Sequence, residues 1–141
     1  MARVFTESVH AIGAKDYSPE QLAAWAPEPP DTEYWRSQLS RLTGFVAELD
    51  SDVVGFVTFS LDGHIHHLYV HSLHQRRGVA SALYWRVEEE ALASGVRRIF
   101  TEASITARPF FERVGFHVVA PQEVVRRGVG LTNYRMERFY S

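Results

Sequence analysis

The chain has 141 residues, a net charge of −2 and no cysteine, which excludes disulfides, cysteine-ligated metals, a thiol nucleophile and a broadly basic nucleic-acid face. Its 45% hydrophobic and 13% aromatic content excludes disorder, and residues 1–141 read as one domain. No apolar run approaches the roughly 20 residues that span a bilayer, and Arg3 and Glu7 break any leader pattern, so a cytoplasmic protein is expected.

Phe5, Val9 and Ile12 fall on one helical face, and Gly13 ends the pattern. Ser18-Pro19-Glu20-Gln21 predicts a second helix with a serine cap, a first-turn proline and a capping glutamine, running to about Ala26. After the short Ala26–Asp31 linker, a third helix starts near Asp31 or Thr32, carries Tyr34, Trp35 and Leu39, and ends near Gly44. The pattern then turns to strands: residues 45–49 alternate, 53–61 are apolar at nearly every position, and 64–71 follow the Asp62-Gly63 turn. These form an antiparallel meander. A long helix begins after Gln75-Arg76-Arg77-Gly78 and runs to about Ser94, with Glu88, Glu89 and Glu90 on a solvated face. A strand at 97–101 follows this crossover and is predicted parallel to 64–71. A short helix at 108–114 and two strands, 116–126 and 131–139, complete an α/β (α+β) fold with a mixed sheet and helices on both faces.

Gln75-Arg76-Arg77-Gly78-Val79-Ala80 opens the long helix. Small residues at 78 and 80 let a ligand approach the backbone, and the first-turn N–H groups and helix dipole suit a diphosphate. Arg76 and Arg77 supply countercharge. Read alone, the hexapeptide is equally a helix start with two solvated arginines.

Leu68-Tyr69-Val70, Gln75-x-x-Gly78-x-Ala80 and Phe110-Phe111-Glu112-Arg113-Val114-Gly115-Phe116 together resemble the GNAT acetyltransferase superfamily. Tyr17-Ser18-Pro19-Glu20-Gln21, residues 77–83 and Ala103-Ser104-Ile105-Thr106-Ala107 are similar to its YafP-like bacterial branch. The resemblance covers nearly the whole chain. It implies a mostly antiparallel sheet flanked by helices, with acetyl-CoA as co-substrate. The diphosphate would lie on Gln75, Arg76, Arg77, Gly78, Val79, Ala80 and Ser81. Acetyl-pantetheine would lie between a bulged 64–71 strand and the 97–102 strand, against Leu68, Tyr69, Val70 and Phe110. The backbone N–H of Leu68 or Tyr69 would meet the acetyl oxygen, and Val70 would pair with pantetheine. Two departures stand out. The family's first strand does not precede the first helix of this chain, being either absent or cut off; in both cases the 45–50 edge is expected to lie exposed or to be covered by a partner, such as a second copy in a homodimer. Phe111 stands where many members carry the tyrosine that protonates the leaving thiolate, and Ser104 replaces a frequent asparagine.

Acetyl transfer needs a base, because an alkylammonium with a pKa of about 10 must lose a proton before it attacks. Without cysteine, direct attack in a ternary complex is expected. His64, His66, His67, His71 and His74 crowd one strand and its loop. Alternation puts His64 and His66 on one face and His67 on the other. In serotonin N-acetyltransferase a His-x-His pair at the same distance before the phosphate motif relays the amine proton, and the YafP-like branch carries an acidic residue at the place of His66. His66 therefore ranks first as base and His64 second. Both also read as hydrogen-bonded pocket histidines, or as a zinc-chelating pair, though no metal site is assigned. His71 and His74 read as solvated. Ser104 is the candidate partner of the leaving thiolate. Tyr134 reads as either a site border or packing. Trp25, Tyr34 and Trp35 read as core or as walls of an acceptor pocket. The function these features imply is N-acetylation of a small-molecule amine. The alternative is a CoA-binding sensor without catalysis, which Phe111 favours.

Overall fold

Helix α1 (Ala2–Ile12) forms because Val4, Phe5 and Val9 share one face, and that face is buried. The computed structural model describes residues 2–28, 30–72, 75 and 78–141, with the backbone alone at Ile12. Helix α2 (Pro19–Trp25) opens on a capping box. The Gln21 amide donates to Ser18 Oγ at 3.1 Å, and the Ser18 amide donates to Gln21 Oε1 at 2.9 Å. Helix α3 (Thr32–Leu39) starts on Asp31, whose carboxylate accepts the Tyr34 N–H at 3.0 Å. It ends before Gly44, the residue expected to stop it. Gly44 instead lies in strand β1 (Thr43–Leu49), where an added Cβ would stand 2.7 Å from the Val57 carbonyl oxygen. Close strand approach, not helix termination, explains that glycine.

Strands β2 (Asp52–Phe59) and β3 (His64–Val70) complete the antiparallel meander. Helix α4 (Val79–Ala93) crosses over to β4 (Arg98–Ser104), which lies parallel to β3 as expected of a crossover. Helix α5 (Arg108–Arg113) precedes the hairpin of β5 (His117–Arg126) and β6 (Val129–Phe139). The sheet order is β1-β2-β3-β4-β6-β5, so β1 forms one edge, and among the described residues no strand precedes α1.

Each face of the sheet carries its own core. Leu83, Tyr84 and Val87 of α4 pack with Phe111 against Val57, Ile65, Ile99 and Met136 on one face. On the other, Val4, Phe5, Leu22 and Trp35 of the early helices cover Phe56 and Leu131. Glu88 is not on a solvated face. It accepts from the Tyr84 and Tyr140 hydroxyls and from Arg138 Nη1, at 3.2, 2.6 and 3.2 Å. The cluster holds the C-terminal strand against α4. Nor is His71 simply solvated: its Nε2 lies 3.5 Å from Glu7 Oε2 on α1.

Two irregularities shape the centre of the sheet. β3 and β4 pair only at His64↔Phe100 and Ile65↔Thr101, where the Thr101 hydroxyl donates to the Ile65 carbonyl at 3.0 Å. Beyond that clamp the strands part. On the other side of β3, the register with β2 shifts between Thr58 and Phe59, so that Phe59 opposes Ile65 and Thr58 opposes His67. His66 is the extra residue of a bulge.

Candidate active site

The parted strands leave part of the β3 backbone unpaired. The His71 N–H donates to Val54 O at 2.7 Å. Hydrogen-bonded and open pairs alternate in an antiparallel ladder, so Tyr69↔Phe56 is a bonded pair and the backbone groups of Leu68 and Val70 face away from β2, into the gap. Of the two N–H groups expected at the acetyl oxygen, that of Leu68 faces the gap and that of Tyr69 faces β2. The Val70 carbonyl is already taken by Gln75 Nε2 at 2.8 Å, which leaves the Val70 N–H.

A cavity of 460 Å³ occupies the gap on the α4 side. It is lined by Leu68, Tyr69, Val70, Gln75 and Gly78. Val79, Ala80, Ser81 and Phe110 complete that wall, so every described residue expected to hold the cofactor lies on it. Arg76, Arg77 and His74 lie outside the described residues. Gly78 caps α4 at φ +77°, and among the described residues it has no side-chain cap bond and an added Cβ there would meet nothing within 4 Å. Val79, Ala80 and Ser81, whose N–H groups precede the first bond of the helix, line the cavity with the helix dipole behind them, which fits a diphosphate. Lys15 and Arg113 also line this cavity. They come from segments far apart in the chain, and neither was expected at this site, although Arg113 lies within the Phe110–Phe116 motif.

A second cavity, of 260 Å³, opens on the face of the early helices. Trp25, Tyr34 and Trp35 all line it, with Phe5 and Tyr17. Trp35 is also core, 4% exposed, with its ring 4.9 Å from Phe5 and 4.6 Å from His67. Trp35 thus belongs to the core and to this cavity's wall alike, whereas Tyr34 is 45% exposed. The two cavities share Trp25, Leu68, Tyr69, Ser104, Ala107 and Phe111, and there they meet.

His66 and His67 both line the second cavity, with ring centroids 6.5 Å apart. Strict alternation would have sent His67 to the opposite face; the bulge overturns it. His67 Nδ1 is hydrogen-bonded to the Thr58 hydroxyl at 2.7 Å, and burial, with His66 and His64 adding to it, pushes its pKa down to about 4. It is a neutral wall residue. His66 sits at the mouth, and partial desolvation together with His64 lowers its pKa below the usual 6.5. At neutral pH it is an unprotonated imidazole able to accept a proton. His64 does not line the cavity. Its ring lies 4.0 Å from His66 and stacks on Phe100 at 4.7 Å, while Nε2 sits 2.8 Å from Glu102 Oε1.

Ser104 Oγ accepts the Ala107 N–H at 3.0 Å, which leaves its own proton to donate at the junction. Phe111 is 3% exposed and offers no proton. Tyr134 packs under the Arg108 guanidinium at 4.6 Å, outside both cavities. Tyr17 is committed as well: its hydroxyl donates to the Thr132 carbonyl at 2.7 Å and accepts the Ile105 N–H at 2.9 Å. Burial raises its pKa and that of Tyr69, so both phenols stay protonated. Asn133, opposite Ser104 on β6, lines the second cavity with its Oδ1 buried and unpartnered among the described residues.

This geometry has close counterparts. Residues 13–138 match the family model described as an acetyltransferase (GNAT) domain. The chain is 36% identical over 136 residues to the uncharacterized N-acetyltransferase YafP of Escherichia coli strain K12, covering 96% of this chain and 85% of that protein. The crystal structure of a GCN5-related N-acetyltransferase from Rhodopseudomonas palustris superposes with a TM-score of 0.93 at 32% identity, covering 98% of this chain and 86% of that one. The PaiA N-acetyltransferase of Thermoplasma acidophilum, solved in complex with coenzyme A, shares the fold with a TM-score of 0.75 at 20% identity, over 99% and 90% of the two chains. With its forked β3 and β4, its open α4 N-terminus and these matches, the chain belongs to the GNAT acetyltransferase family.

Proposed function

We propose that this protein transfers the acetyl group of acetyl-CoA directly to the amine of a small molecule. The observation that carries the reading is the meeting of two cavities at the fork between β3 and β4. One has an anion-ready helix start, the other a neutral histidine at its mouth. The PaiA N-acetyltransferase, which shares this fold, was solved with coenzyme A bound, in keeping with a CoA-type ligand here.

In this reading Gly78, Val79, Ala80 and Ser81 cradle the diphosphate with backbone N–H groups, and Arg76 and Arg77 supply countercharge. The Val70 N–H pairs with pantetheine, and the Leu68 N–H faces the acetyl oxygen where negative charge develops. Acetyl-CoA supplies an activated acyl group. The acceptor enters the aromatic cavity as an ammonium and gives a proton to His66. Its nitrogen lone pair then forms the N–C bond to the acetyl carbon, and the C–S bond breaks with its electron pair returning to sulfur. Ser104 donates a hydrogen bond to that sulfur, and solvent supplies the proton that makes the free thiol. The amide nitrogen loses its second proton to solvent. A homodimer through the open β1 edge is compatible with this chemistry.

The test is CoA release from acetyl-CoA over a panel of primary amines that includes arylalkylamines. Amine-dependent release, lost in His66→Ala, supports the reading. Saturable acetyl-CoA binding without release by any amine supports the alternative that Phe111 favours, a CoA-binding module.

A further inference from the structure

Two residues outside the cavity reach His66 through one hydrogen-bonded chain. Ser60 follows β2, and Asp62 lies in the turn that leads to β3. The Ser60 hydroxyl donates to Asp62 Oδ1 at 2.6 Å, and Ser60 Oγ itself lies 3.1 Å from His66 Nε2. A serine hydroxyl has one proton. With that proton on the carboxylate side, Ser60 Oγ can only accept from His66, so Nε2 carries the ring hydrogen. In a neutral imidazole the lone pair is then on Nδ1, the nitrogen with no part in this bond.

The backbone fixes the arrangement independently of these side chains. The Ser60 N–H donates to the His64 carbonyl at 2.9 Å, and the Gly63 N–H donates to the Ser60 carbonyl at 3.1 Å. The His64 N–H donates to Asp62 Oδ1 at 3.1 Å. Gly63, at φ +98°, makes the turn possible, since a Cβ there would stand 2.2 Å from the Arg98 carbonyl oxygen. The bulge at His66 then brings its ring back over this turn. The hydrogen bond from Ser60 holds the Asp62 carboxyl below its usual pKa, so it is ionised at neutral pH.

We propose that Ser60 and Asp62 are positioning residues that hold His66 as its Nε2–H tautomer, leave Nδ1 as the proton acceptor, and favour the imidazolium once the proton has arrived. The inference rests on the reading of His66 as the base. The other charged and titratable groups facing His66 are His64 and His67 on β3 and Glu102 on β4. His64 opposes the imidazolium, Glu102 favours it, and Asp62 adds to Glu102.

The experiment is a long-range proton–nitrogen-15 NMR titration of the full chain from about pH 4 to 8, with His66 assigned by His66→Gln. The wild type should show neutral His66 as the Nε2–H tautomer with a midpoint below 6.5. Asp62→Asn keeps a serine acceptor but removes the charge, so the midpoint should fall further, by about half a unit. Ser60→Ala should mix the two tautomers, and Ser60→Thr should restore the wild-type pattern. An Nδ1–H tautomer in the wild type would overturn the proposal. So would a tautomer and midpoint unchanged by both Ser60→Ala and Asp62→Asn. These readouts need no acceptor. A correct tautomer in a protein that releases no CoA would therefore count against acetyl transfer while leaving the positioning itself upheld.

Discussion

The two cavities that meet at Leu68 are built from different material. The α4-side cavity takes its candidate backbone ligand groups from one stretch, the end of β3, a glycine cap and the first turn of α4 within residues 68–81, while α1, α2, β4 and α5 complete its wall. The opposite cavity is mostly side chains, brought from α1, α2, α3, β3, β4 and the β5–β6 hairpin. A ligand held by backbone groups needs small residues at fixed local spacing, and leaves a readable motif. A ligand held by side chains from across the fold leaves none, because tertiary packing sets which rings converge.

The sharpest way to break this contrast is at Gly78. Gly78→Glu puts a bulky anion where the diphosphate is expected, and acetyl-CoA affinity should fall at least about 100-fold, as direct titration would detect. Gly95, at the other end of α4, is the control. It too has positive φ (+87°) and open space around a Cβ. Gly95→Ala should cost about 1 kcal/mol of stability through backbone strain alone and leave binding unchanged. Equal binding losses at the two ends would mean that the helix start is nothing special.

On the side-chain side, His66→Ala should lower kcat about 100-fold at neutral pH and leave acetyl-CoA affinity near wild type. Because the pKa of His66 is lowered, its basic form persists below pH 6.5. The acid limb of kcat/KM should therefore have its midpoint below 6.5, and His66→Ala should abolish that limb. A wild-type limb above 6.5 would remove His66 as the base.

His67 gives an effect of another kind, on stability. Its folded pKa of about 4 lies below the ordinary 6.5. Between those values the unfolded chain binds a proton that the folded chain resists, so stability falls as pH falls through that window and is fully present above it. The loss is about 3 kcal/mol. Denaturant melts at pH 7 and pH 4.5 should show a drop that His67→Gln reduces.

The smallest effect is at Asn133. Its buried Oδ1 has no partner among the described residues, so Asn133→Leu should stabilise the fold by about 1 kcal/mol while altering the acceptor cavity. A destabilised variant would mean that the amide has a partner, such as bound water.

These contrasts also explain what the sequence could tell. The Ser18 cap, the α4 crossover and the positions of Leu68 and Val70 follow from local patterns and the family resemblance, and the fold agrees. Gly44 misled, because a glycine after a helical pattern reads as a stop, while its role is set by the Val57 carbonyl on a neighbouring strand. Glu88 read as solvated because two of its three partners among the described residues, Tyr140 and Arg138, lie at least 50 residues away. His67 was assigned to the wrong face because a single bulge shifts the alternation, and nothing in His64-Ile65-His66-His67 marks where a bulge falls.

The most direct test of the central claim is a calorimetric titration of the purified protein with acetyl-CoA, run beside adenosine diphosphate and repeated with Gly78→Glu. The account predicts saturable binding to the wild type, tighter than for the nucleotide alone because the fork between β3 and β4 adds the pantetheine contacts, and loss of binding in the variant. Absence of wild-type binding, or equal binding by Gly78→Glu, would contradict it.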